Sequence, residues 1–113
     1  MSESIAGSVA ITLNAPPALE ERIVDWLLGQ EDAVGFTSYF AHGHGTRHED
    51  LSVAEQVSGR QRRIEFRIEL STAELDGFCG ALAASFAGVD LYYFVFPVLR
   101  SGHLAQAAAA PPV

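Results

Sequence analysis

Residues 63–70 carry the cleanest pattern in the chain: Ile64, Phe66, Ile68 and Leu70 alternate with Arg63, Glu65, Arg67 and Glu69. A period of two sends the two sets to opposite faces of a strand, one dry and one charged. Val9, Ile11 and Leu13 alternate with Ala10, Thr12 and Asn14 in the same way. They predict a first strand, which Ala15-Pro16-Pro17 stops. Behind it Leu19, Ile23, Trp26 and Leu27 recur at helical spacing. Pro17, Glu20 and Glu21 suit the start of that helix and Gly29 its end. The β-branched and aromatic residues of 35–41 predict a second strand. Ser71 and Glu74 have the spacing of a capping box. After them Leu75, Phe78, Cys79, Leu82 and Phe86 form the stripe of a second helix, which Gly88 ends. Residues 91–99 are apolar on both faces and predict the last strand. Segment 51–59 reads two ways: Ser52 and Glu55 suit the cap of a short helical turn, and a mobile loop fits as well.

The predicted order is therefore βαββαβ. Two helices with one dry stripe each cover one face of a four-stranded antiparallel sheet, which is the ferredoxin-like α+β sandwich. The other face stays open. Tyr92, Phe94, Phe96 and Val98 share one side of the last strand, and Tyr93 and Val95 the other. Only one side meets the helices, so an aromatic patch is left in water, and such patches mark interfaces. The expected outcome is a closed oligomer joined through the open face. A C-terminal tail folded over the patch is the alternative.

With 113 residues and 49% hydrophobic content, the chain has enough for one core. A single domain is expected over 1–104, followed by a disordered Ala/Pro tail over 105–113. A net charge of -7 argues against nucleic acid as a partner, because phosphates are repelled. The longest apolar run, 91–99, is too short for a membrane span, and the first residues lack the basic stretch of a signal peptide. Cys79 is the single cysteine, so no internal disulfide forms. These features predict a cytoplasmic protein with no direct membrane insertion. All seven cations are arginine, and five of them (Arg47, Arg60, Arg62, Arg63, Arg67) lie in the middle third. The bland reading is that base composition sets arginine over lysine; it does not account for the clustering. The guanidinium fork grips carboxylates and phosphates at two points at once.

Candidate chemistry concentrates between the second and third strands. His42, His44 and His48, beside Glu49 and Asp50, are the densest set of potential metal ligands. If the strand continues, His42 and His44 point to one side, as a chelating pair requires. The bland reading is a polar loop that contains histidine, since no closed four-ligand spacing is present. Gly43 and Gly45 let backbone N–H groups approach a phosphate, with Arg47, Arg60, Arg62 and Arg100 to supply charge. Equally, these arginines suit solvated strand ends or partners for Glu65 and Glu69. Arg63 and Arg67, on the exposed strand face, read as structural. Cys79 sits on a dry stripe, where a thiol behaves as a small hydrophobe. No Ser-His-Asp order or nucleophile elbow is legible, so no enzyme is expected.

Gly43-His44-Gly45-Thr46-Arg47, the returning strand 64–70 and Arg100-Ser101-Gly102 together resemble the PII signalling proteins, across nearly the whole chain. Residues 44–48 with 51–63 are more specifically similar to a PII-like branch typically encoded beside heavy-metal efflux pumps. The resemblance implies a homotrimer that binds a small ligand in its subunit clefts. An adenine nucleotide, another anion or a divalent transition metal would fill that role. A mobile loop at about 46–59 would then signal to a partner, an efflux-pump component. Three departures stand out. The family's second phosphate loop, Thr-Gly-x-x-Gly-Asp-Gly-Lys, is here only Ala87-Gly88-Val89-Asp90. The first of its paired C-terminal arginines is Val98, and 51–59 holds no tyrosine. A direct metal binder of the trimeric CutA plan, using His42, His44 and His48, is the alternative.

Overall fold

The alternating strand forms the inside of the sheet. In the computed structural model, which describes residues 7–31, 35–45, 52–58 and 60–105, β3 spans Gln61–Ser71. It pairs on one side with β1 (Ser8–Ala15) and on the other with β2 (Phe36–Gly43). The last strand, β4 (Tyr92–Val98), pairs with the far edge of β1, giving the antiparallel order β2-β3-β1-β4. Helix α1 (Glu20–Leu28) enters through a 3-10 turn at Pro17–Leu19, and α3 (Leu75–Phe86) through one at Thr72–Glu74. Glu74 Oε1 accepts the Ser71 N–H at 3.0 Å, as the capping-box spacing predicts.

One face of the sheet is dry because the period-two pattern holds without a slip. Val9, Ile11, Leu13 and Ala15 of β1 join Ile64, Phe66, Ile68 and Leu70 of β3 in the core. Ile23 and Leu27 of α1, with Phe78, Leu82 and Phe86 of α3, close over them. The helices are tied to each other by Trp26, whose ring meets Phe78 and Phe86 edge-on at 5.4 and 5.5 Å. Its Nε1 donates to Ser85 Oγ, and the Arg22 guanidinium lies over the Phe86 ring. This is the ferredoxin-like sandwich that the sequence pattern predicts.

Three expectations change. The connection between β2 and β3 contains a short helix, α2 (Val53–Ser58), so the capped-turn reading of Ser52 and Glu55 is the right one over those residues. Ser52 Oγ accepts the Glu55 N–H and Glu55 Oε1 accepts the Ser52 N–H. The helix-facing side of β4 is not covered either: Tyr93 is 53% and Val95 37% exposed, because β4 is an edge strand. Arg63, expected in solvent, is 3% exposed, for reasons given below. The expected tail falls, from residue 106 on, outside the described residues. No helix among the described residues is long and apolar enough to cross a membrane.

Candidate functional site

At the end of the sheet where β2 stops and β3 starts, Gly43 sits opposite Gln61 and His42 opposite Arg62. Gly45 holds φ +84°, a left-handed backbone that glycine adopts without strain. A Cβ on Gly43 would lie 3.4 Å from Cγ of Arg63, so its absence lets the arginine stem cross the strand closely. His42, His44, Arg60 and Arg62 are exposed around this turn, while Arg47 and His48 lie outside the described residues. β2 stops at Gly43, so strand alternation does not carry His44 to the side of His42. Among the described residues, no three His, Cys, Asp or Glu side chains form a metal-holding group.

Glu55 connects α2 to this end. Its Oε2 accepts the Arg62 N–H at 3.1 Å while Oε1 caps the helix through Ser52. The Ser52 N–H, then the Arg62 N–H, hold the Glu55 carboxyl below the usual carboxylate range, so it is ionised at neutral pH. Arg63 lies alongside on the open face. Its Nε donates to Asn14 Oδ1 at 2.6 Å, Nη2 to the Asn14 carbonyl at 3.1 Å, and Nη1 to Asp90 Oδ2 at 3.0 Å. The Tyr92 ring covers it at 5.7 Å. These partners come from β1, from β4 and from Asp90 just before β4, and bury a side chain that its own strand places toward solvent. Asp90 ends the interval where the PII resemblance implies a lysine-bearing phosphate loop; here it is a carboxylate committed to Arg63.

The Arg100-Ser101-Gly102 segment leaves the opposite end of the sheet. Ser101 Oγ donates to Glu69 Oε2 at 2.7 Å, and Ser8 Oγ to the same oxygen at 2.9 Å. From Gln61 to Glu69 the strand runs roughly 26 Å, at about 3.3 Å per residue. Within one chain, Arg100 therefore does not join Gly43, Gly45, Arg60 and Arg62. Among the described residues, Glu65 takes hydrogen bonds from Asn14 Nδ2 and the Tyr39 hydroxyl, and Glu69 from the two serines.

Between the two ends lies the open face. Tyr92, Phe94 and Phe96 are 63, 56 and 50% exposed, and the Phe94 and Phe96 rings stack at 6.2 Å. Near the Arg100 end, Arg67, Glu69, Thr37 and Val98 line an open hollow of about 360 Å³. Cys79 is half-buried on α3, and burial followed by the charge of Asp76 pushes its thiol pKa up. Both effects disfavour the thiolate, the nucleophilic form.

The sequence profile of a family described as "Protein of unknown function (DUF3240)" matches residues 5–105. No curated protein matches the chain in sequence. Among solved structures, that of a DUF3240 family protein from Shewanella baltica OS155 is 21% identical, with a TM-score of 0.69, over 86% of this chain and 96% of that one. The Bacillus subtilis GlnK–ATP complex is 17% identical, with a TM-score of 0.65, over 94% and 92%. GlnK from the same organism, in another structure, gives 16% and 0.64 over 88% and 92%. At these identities the likeness is one of fold.

Proposed function

Since this chain belongs to the DUF3240 family and has a PII-like fold, we propose that it is a cytoplasmic, non-enzymatic regulatory protein that works as a homotrimer. A small ligand binds in the clefts between subunits and changes the segment 46–59, which docks on a partner. The efflux-pump setting implied by the sequence resemblance makes a metal-efflux component that partner. A phosphate-bearing ligand such as an adenine nucleotide is the first candidate, because ATP is the ligand named with the similar GlnK structure.

One observation carries this reading. The Gly43–Gly45 turn with Arg60 and Arg62 lies at one end of the sheet, and Arg100 follows the strand end at the other. No single chain assembles them. A cyclic contact through the open aromatic face joins unlike parts of neighbouring copies, and so offers a way to bring the two ends together. The site is then a property of the assembly.

The test has two arms. Light scattering reads the mass of the particle, and thermal shift screens ATP, ADP, bicarbonate and divalent Zn, Cu, Ni and Co. A ligand at a hundred times its Kd adds roughly 2.7 kcal/mol, several degrees for a domain of this size. Arg62→Ala and Arg100→Ala chains each lose the nucleotide response, and a refolded mixture regains part of it. Loss without complementation would place the site within one chain. A rise with metal alone, abolished in His44→Ala, would favour the direct metal binder instead.

A further inference from the structure

We propose that Glu55 is an internal occupant of the anion position at the entry of β3, so that docking of α2 and binding of an oxyanion exclude each other. This rests on the ligand reading above and assigns the regulation of that same site.

The strand geometry creates the vacancy that Glu55 fills. β1 ends at Ala15, opposite Ile64, so the first residues of β3 extend past it with no strand on that side. A strand N–H there still needs an acceptor. The Arg62 N–H finds it in Glu55 Oε2 at 3.1 Å, and the other oxygen of the same carboxylate takes the Ser52 N–H at 3.0 Å. One side chain thus both caps α2 and pins it to the sheet. The Ser52 and Arg62 N–H groups, and after them the Arg62 charge, favour the ionised carboxylate. What rests at this place is therefore an oxyanion held by backbone N–H groups near a guanidinium, beside a glycine turn.

A diffusible oxyanion, phosphate-bearing or carboxylate, offers the same acceptor chemistry with more oxygens, and takes the Arg62 N–H by displacing Glu55. Displacement breaks the Glu55 bond to the Arg62 N–H that ties α2 to β3. Ligand then prefers the undocked state, which is the differential interaction a loop switch requires. While Glu55 stays in place, the free protein shows only its ligand-competent fraction, and measured affinity is reduced by that fraction.

Glu55→Gln separates charge from structure, because glutamine also serves at the third position of a capping box. Calorimetric titration with ATP, inorganic phosphate and bicarbonate is run on the full chain and on this variant. Amide exchange is followed at residues 53–56 and at Arg62. The expected result is about tenfold tighter binding of one probe by Glu55→Gln, faster exchange at Arg62 in the unliganded variant, and the same acceleration when that probe is added to the parent chain. Which probe responds distinguishes a nucleotide from a free anion. If the parent chain binds a probe and the variant binds it equally or more weakly, Glu55 is no competitor and only this inference falls. Protection of 53–56 that rises with ligand also overturns it. If neither protein binds any probe, the oxyanion form of the ligand reading falls with it.

Discussion

Arg63 and Asp90 join the start of β3 to the entry of β4, with Nη1 3.0 Å from Oδ2. The partners are unequal: the arginine side chain is 4% exposed and the aspartate 53%. Removing the arginine takes a donor from Asn14 Oδ1 and from the Asn14 carbonyl, whereas removing the aspartate leaves Arg63 its bonds to Asn14 and the Tyr92 ring. Arg63→Met is therefore expected to cost about 3 kcal/mol and Asp90→Ala about 1 kcal/mol in urea unfolding. Equal costs from the two changes would mean that the ion pair, and not the Asn14 bonds, carries the anchor.

Tyr39 should titrate late. Its hydroxyl donates to Glu65, and that hydrogen bond, followed by burial and the Glu65 charge, raises its pKa above the ordinary value of about 10. A raised pKa means that the folded state favours the neutral phenol. Its contribution to stability is then complete below pH 10 and is lost as pH climbs through the folded value. Absorbance at alkaline pH should show a tyrosine ionising above the ordinary phenol range, and Tyr39→Phe should remove that step. A Tyr39→Phe protein with an unchanged titration curve would show that Glu65 does not hold the proton.

Local chemistry made much of this legible in the sequence. The alternation around Phe66, the stripe through Phe78 and Phe86, and the Ser71–Glu74 cap are short-range signals, and each appears where its spacing puts it. The short helix 53–58 was ambiguous because six residues hold a cap but too few turns to show a helical period. Arg63 was hidden for a different reason. Its own strand assigns it to solvent, and it is buried by Asn14, Asp90 and Tyr92, all distant in sequence. The separation of Arg100 from the Gly43 turn follows from strand directions: β2 and β4 are antiparallel in space and so end at opposite edges. Arg62 backbone capture by Glu55 left no sequence signal beyond the cap motif, since any residue supplies an N–H.

The Cys79 thiol should be sluggish. Burial and the nearby Asp76 both disfavour the thiolate, which is the reacting species. Labelling with a disulfide reagent at pH 8 is expected to run well below the rate of free cysteine and to accelerate on unfolding in urea. Rapid labelling of the folded protein would put Cys79 among the candidate functional groups after all.

The open face gives the sharpest test of assembly. Phe94 and Phe96 stack on each other, lie opposite Thr12 and Ala10, and stay about half exposed in the single chain. A change to glutamate there removes little intrachain packing, so Phe94→Glu should shift folding stability by at most about 1 kcal/mol. In an interface built on that face it instead buries a charge in every subunit contact, which is prohibitive without a partner. Light scattering should therefore report a monomer with unchanged circular dichroism. Leu28→Glu, a charge placed on an exposed apolar residue of the helix layer, is the control and should leave the mass alone. If the Phe94→Glu protein keeps the parent's mass while Leu28→Glu dissociates, the subunits meet through the helices, and the cleft between the two sheet ends does not exist.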